Sequence, residues 1–182
     1  MTITMSGKEY NGLMKYLKPG LSKDPTRQTL SLIHVFNDGQ QIIFETCNGY
    51  MIKRQTFTVE EKIYDLINFD ITVEVPPLKM LSKDAVTIEF LTTGFNLYVD
   101  GTMYFIRSTG IEYVNTDNFF HKPDQDIIEY GFTVEYLKGV LDGYTGKIKM
   151  TIKTDSNLQA VFIEDLDDIG KVSMLLPVRM EK

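Results

Sequence analysis

The segment FTVEYLKGVLDGYTGKIKMTIKTDSNLQAVFIEDLDDIGKVSMLLPVRM (residues 132–180) switches its hydrophobic period once. Leu137, Val140, Leu141 and Tyr144 recur at the three- and four-residue spacing of a helix with one apolar side. Gly143 and Gly146 loosen the end of that helix. From Ile148 the period falls to two, with Ile148, Met150 and Ile152 alternating with polar neighbours, and β-rich runs follow at 158–163 and 171–178. The unit starts near Ile127 and reads as a helix followed by three strands.

The same order recurs twice upstream. Residues 1–5 alternate polar and apolar, and Ser6 stands three residues before Glu9 in a capping box that starts a helix. Tyr10, Leu13, Met14 and Leu17 form its apolar stripe, Lys8, Asn11, Lys15 and Lys18 lie opposite, and Pro19-Gly20 end it. Thr29 to Phe36 and Gln41 to Glu45 read as strands around the turn Asn37-Asp38-Gly39, and Tyr50 to Val59 as a third. The middle unit opens at Ile71-Thr72-Val73-Glu74-Val75. Pro76-Pro77, a short helical stretch Leu78 to Lys83, and strands around 85–91, 95–99 and 103–107 follow. Dividing 182 residues by three gives about 61 per unit, and repetition of one supersecondary unit constrains the fold strongly. Helices with one apolar side and strands with one alternating side predict a layered α+β protein, its antiparallel sheets carrying the helices on one face.

Composition narrows the function. The chain is 43% hydrophobic and long enough for a real core, so disorder is not expected. A net charge of −6 and a pI near 5.0 exclude holding nucleic acid by overall positive charge but leave local basic faces open. The single cysteine, Cys47, forms no internal disulfide, and with two histidines no zinc site of usual spacing arises. No apolar run nears the roughly 20 residues needed to span a bilayer, and MTITMSGKEY lacks the regions of a signal peptide. A cytoplasmic, metal-free protein without cofactors is expected.

Catalytic motifs are absent. Neither His34 nor His121 lies in a nucleophile motif, and there is no glycine-rich phosphate loop. The acidic run Glu164-Asp165-Leu166-Asp167-Asp168 has the composition of a divalent-metal site in a nuclease, but between two β-segments it reads as a solvated turn.

Segment 132–180 resembles the C-terminal half of the third domain of the bacterial DNA polymerase III beta sliding clamp. The resemblance lies in the F-x-V-x-Y helix entry, the T-D-S turn at 154–156, Ile163-Glu164-Asp165, and the closing Leu176-Pro177-Val178-Arg179-Met180, which is similar to the family's M-P-M/V-R-L terminus. Residues 22–54 are similar to the family's S-k-d-x-x-R-x-x-L and A-T-D-G-H-R-L segments. There Gly49 is kept, while Cys47, Tyr50, Met51 and Ile52 replace threonine, histidine, arginine and leucine. Residues 71–119 look like the second half of the second domain, with Gly110-Ile111-Glu112-Tyr113 at its G-x-Y/F-P turn and Val114 in place of the proline. The chain thus resembles one complete clamp domain, 1–120 (modules of about 1–60 and 61–120), followed by a third module, 121–182, like half of another.

The resemblance implies a DNA-clamp fold and a non-enzymatic processivity factor. Such a protein encircles double-stranded DNA without reading sequence and tethers a DNA polymerase and a clamp loader through short peptide motifs. By carry-over, the peptide pocket takes Leu30, Gly49, Tyr50, Ile52, Ala160, Met174, Leu175, Leu176, Pro177, Val178 and Arg179. An apolar cleft with few polar groups suits such peptides, although Leu30, Ile52 and Leu175 taken singly also read as plain core. Sliding needs diffuse positive charge, supplied here by Lys8, Lys15, Lys18, Lys23 and Arg27, with Lys79 and Lys83 a weaker cluster. A solvated helix face looks the same. On the last helix Glu135 and Asp142 beside Lys138 leave the exposed side slightly acidic.

The resemblance implies a ring of six domains, or twelve modules, which a three-module chain would close as a homotetramer, with a dimer or an unclosed monomer as competing outcomes. So compact a clamp suits a phage or mobile element. The other reading is a clamp-derived adaptor or decoy that binds clamp-binding peptides without encircling DNA.

Overall fold

The computed structural model describes residues 1–39, 41–59, 68–119, 131–152 and 160–178. Strand β1 (Thr2–Ser6) runs directly into helix α1 (Gly7–Leu17). The junction is the expected capping box: Glu9 N–H donates to Ser6 Oγ at 3.3 Å, and Ser6 N–H donates to Glu9 Oε2 at 2.7 Å. Strands β2 (Ile33–Asp38), β3 (Gln41–Cys47) and β4 (Met51–Thr58) complete the first module. The second contributes β5 (Asp70–Val73), β6 (Ala85–Leu91), β7 (Gly94–Val99) and β8 (Thr102–Arg107). The third contributes helix α2 (Val134–Leu141) and strands β9 (Ile148–Ile152), β10 (Val161–Asp165) and β11 (Lys171–Leu175).

The first strands of the first two modules are exchanged. β1 pairs with β6, giving a four-stranded sheet β1-β6-β7-β8, and β5 pairs with β2 in a seven-stranded sheet β5-β2-β3-β4-β11-β10-β9. Every pairing is antiparallel. Each three-stranded meander is therefore closed by a strand from the other module, so neither half buries its core alone. The third module joins through β4–β11, with Met51 opposite Leu175 and Lys53 opposite Ser173.

The main core lies under α1, where Tyr10, Leu13 and Leu17 pack with Ile33, Val35, Phe44, Ile71, Ile88, Phe90 and Leu97 from both sheets. A smaller core forms under α2 from Val140, Met51, Val161, Ile163 and Leu175. Both helices lie on the same face of the seven-stranded sheet, since Lys53 of β4 reaches the Tyr16 ring of α1 and the Val140 carbonyl of α2.

Two expected elements differ. Residues 78–83 form no helix. Asn11 donates to the Met80 carbonyl at 2.7 Å and accepts from Met80 N–H at 3.1 Å, while the Asp84 carboxylate takes Leu81 N–H at 2.6 Å. These contacts occupy backbone groups a helix would need for itself, and they bring Asn11, expected on the solvent face, into the structure. The strand expected from Thr29 starts only at Ile33, because Gln28–Ser31 is a 3-10 turn. The start of the third module near Ile127 lies outside the described residues.

Candidate functional site

At the β4–β11 seam, neighbouring side chains alternate between the two faces of the sheet. Met51 and Leu175 point to α2, whereas Ile52 and Met174 point to the opposite face. There Ile52, Met174, Cys47, Ala160 and Phe162 form a second apolar cluster against the partly buried Leu30, Tyr113, Phe119 and Leu176. An apolar patch on the helix-free side of a sheet has no role in the helix-covered core. Here it is walled by the 3-10 turn at Leu30 and by the segment that carries Tyr113 and Phe119.

Of the eleven pocket residues expected, the structure gathers Leu30, Ile52, Ala160, Met174 and Leu176 here. Leu175 is placed elsewhere: the strand period turns it into the α2 core. Tyr50 is half exposed and stacks on Tyr136 of α2, centroids 4.4 Å apart, beside a cleft of about 450 Å³ that Lys23, Arg27 and Glu135 also line. Gly49 sits in the β3–β4 turn at φ +90°, where a Cβ would come within 3.0 Å of Arg27 Nη1. Pro177 and Val178 follow β11, and Val178 N–H donates to the Gly131 carbonyl at 2.9 Å. Arg179 lies outside the described residues. Sequence reasoning missed Cys47, Phe162, Tyr113 and Phe119; their apolar character was visible, but which face they share was not.

A buried polar network holds the wall in place. His34 Nδ1 lies 2.9 Å from Glu45 Oε1 and Nε2 lies 2.9 Å from Asp70 Oδ1, while the ring stacks between Phe36 and Tyr113. Arg54 donates twice to Glu45 Oε2, at 2.9 and 2.7 Å, and also to Thr116 and Asp117. Burial pushes the Glu45 carboxyl up, but His34, Arg54 and Thr116 outweigh it and hold the group below the usual carboxylate range. His34 is thus a structural residue that ties β2, β3 and β5 to residues 113–117.

On the other face, Lys53 is wholly buried. It donates to the carbonyls of Val140 at 2.6 Å and Asp142 at 2.7 Å, capping the end of α2. Tyr16 and Tyr144 flank it, 4.5 and 5.3 Å from ammonium to ring, and their hydroxyls share Ser173 Oγ. Burial lowers the Lys53 pKa to about 7.

The lysines expected to face DNA divide by element. Lys8 and Lys15 are exposed on α1, Lys18 just beyond it, and Lys23 and Arg27 in the next loop, where Arg27 pairs with Asp24 at 3.4 Å. Lys79 and Lys83 are exposed on irregular chain, not on a helix. Glu135 and Lys138 on α2 and Asp142 just after it are all exposed. The acidic run ends β10 with Glu164 and Asp165 and continues into the β10–β11 turn, where the Asp165 carboxylate accepts from the N–H groups of Asp167 and Asp168 at 3.0 and 3.2 Å. Among the described residues no cluster of metal-ligating side chains forms, and no helix is long and apolar enough to cross a membrane.

No protein-family model and no curated protein matches the sequence. Solved structures do match. The fold is that of the DNA polymerase sliding clamps, over the whole chain. The Bacillus subtilis DNA polymerase sliding clamp aligns with a TM-score of 0.73 at 12% identity, over 100% of this chain and 65% of its own. The DNA polymerase III subunit beta of Borrelia burgdorferi, solved with a natural product, aligns with a TM-score of 0.77 at 10% identity, over 100% and 63%. The Pseudomonas aeruginosa clamp, solved with a ligand, aligns with a TM-score of 0.76 at 9% identity, over 99% and 66%. The chain therefore spans a little under two thirds of the length of the clamps it matches, and has a shortened version of their fold.

Proposed function

We propose that this chain is a sliding clamp: a non-enzymatic processivity factor that encircles duplex DNA and tethers a DNA polymerase and its loader by their short peptide motifs. In this reading residues 1–120 are one complete clamp-like domain, residues 121–182 are half of another, and four chains close the ring in the cytoplasm. The observation that carries it is the apolar cluster on the helix-free face of the β4–β11 seam, within a fold shared over the full chain with polymerase clamps. Buried aliphatic and sulfur side chains rimmed by Leu30, Tyr113, Phe119 and Leu176 suit an aliphatic or aromatic peptide anchor. The exposed lysines of α1 supply sequence-independent contacts to phosphates.

The slightly acidic exposed face of α2 favours a second reading, an adaptor that binds such peptides without holding DNA. Retention on nicked circular DNA, loaded with a polymerase loader and followed by gel filtration before and after linearisation, separates the two. A clamp stays on the circle and runs off the linear form. An adaptor binds the peptide and is retained on neither.

A further inference from the structure

The apolar cluster at the β4–β11 seam occupies only one end of the helix-free face. Ile33, Val35, Phe44, Ile71 and Val73 enter the main core, so the two-residue period of β2, β3 and β5 turns His34, Glu45, Asp70 and Thr72 to the opposite face. That is the face of the apolar cluster, because Glu45 and Cys47 stand two residues apart on β3. Between these residues and the segment 108–117 lies a cavity of about 470 Å³. Tyr113 belongs to both, lining the cavity and packing against the apolar cluster. The two are therefore neighbouring parts of one surface.

Their chemistry differs. Glu45, Asp70, Glu112 and Asp117 line the cavity, and among the described residues no lysine or arginine does. Arg54 reaches Glu45 and Asp117 from β4, and His34 lies between Glu45 and Asp70. Even with both counted as cations, the lining keeps an excess of two negative charges. That charge is accessible: the side chains of Asp70 and Asp117 are 76% and 70% exposed, and Glu112 is exposed. Among the described residues no cluster of metal-ligating side chains forms, so the fitting cation is an organic one that brings its own hydrogen-bond donors. We propose that this cavity takes the lysine or arginine side chain of a partner peptide whose apolar anchor occupies the neighbouring cluster. The chain then selects peptides that carry a basic residue at a set distance from the anchor, an inference that rests on the peptide-tethering reading above.

The sheet sets that distance. In the order β5-β2-β3-β4-β11, about three inter-strand steps separate the carboxylates from the middle of the apolar cluster, about 14 Å at ~4.8 Å per step. An extended peptide rises ~3.3 Å per residue, so the basic residue stands about four residues from the anchor. Because the carboxylates are solvated, the gain is that of an exposed ion pair, about fivefold in affinity.

The test uses the full chain and fluorescence anisotropy with three labelled peptides. One carries an aliphatic and aromatic anchor alone, and the other two add a single arginine four residues before or after it. One arginine peptide should bind about fivefold tighter than the anchor alone at low salt, and the advantage should shrink as salt rises. Glu112→Gln with Asp70→Asn, both at exposed positions, should abolish the advantage and leave the affinity of the anchor peptide unchanged. The asparagine keeps an oxygen for His34. Phe119→Ala, in the wall of the apolar cluster, should weaken all three peptides. An advantage that survives the double variant comes from the net charge of −6 and overturns the proposal. Equal affinity for the three peptides, each still weakened by Phe119→Ala, overturns it and leaves the peptide site standing. Arginine peptides weakened by the double variant but not by Phe119→Ala keep the cation site and sink the anchor reading. Binding of none of the three removes both.

Discussion

The ammonium of Lys53, in the middle of β4, donates at 2.6 Å to the carbonyl oxygen of Val140, 87 residues further along in the last turn of α2. α2 has eight residues, too few to be stable alone, and its terminal carbonyls need partners. The first module supplies one. Lys53→Ala removes that cap and leaves the buried carbonyl of Val140 without it. The expected loss is about 2–3 kcal/mol in urea denaturation, with protection from hydrogen exchange falling first in α2.

The same lysine sets a pH dependence above neutrality. Its folded pKa, about 7, lies below the unfolded value of 10.5, so between those values the unfolded chain binds more protons and stability rises with pH. The limiting slope for one proton is about 1.4 kcal/mol per pH unit. The rise should end near pH 10, because Tyr144 and Tyr10, both pushed up by burial to about 12, keep their protons in the folded state after the unfolded chain loses them. Chemical denaturation of Lys53→Met at pH 7, 8 and 9 should show a flat profile; an undiminished rise would rule out Lys53 as its source.

Glu45 acts at the other end of the scale. Its folded pKa is held below the unfolded one, so its contribution is complete above the unfolded value near 4.5 and disappears as pH falls through the folded value. Glu45→Gln should flatten the acid limb of the stability curve and cost about 3 kcal/mol at pH 7, since Arg54 and His34 lose a shared buried partner. Limited proteolysis should find the segment around Thr116 opened in this variant.

At the apolar seam, partly exposed walls can be cut back without hollowing the core. Leu30→Ala, Phe119→Ala and Leu176→Ala should each weaken binding of a hydrophobic clamp-binding peptide by about tenfold in fluorescence anisotropy. Leu175→Ala should instead cost about 2–4 kcal/mol of stability, because Leu175 is buried beneath α2. Equal peptide affinity across all four variants would move the peptide site elsewhere.

Replacing Lys8, Lys15 and Lys18 together by Ala should lower DNA affinity for all sequences alike and reduce the slope of log affinity against log salt by about two to three. A variant with the wild-type slope would remove α1 from the DNA-facing surface.

What could be read from the sequence was local. The capping box of Ser6 and Glu9 and the stripe Tyr10, Leu13, Leu17 lie within a few residues of one another, so α1 was legible with its boundaries. Strand periods were equally plain, and the resemblance of residues 22–54 and 132–180 to a clamp singled out Leu30, Ile52, Ala160, Met174 and Leu176, five residues that meet in one apolar cluster. Tertiary structure decided whatever depends on partners distant in sequence. Period two says that Met174 and Leu175 face opposite ways but not which faces the helix; the packing of α2 settles it. Residues 78–83 carry helix-like spacing, yet Asn11 and Asp84 take their backbone groups. Lys53 reads like any strand lysine until the carbonyl end of α2 arrives above it. The exchange of β1 and β5 leaves no trace in either strand, because antiparallel pairing satisfies the same backbone groups whichever module provides the neighbour.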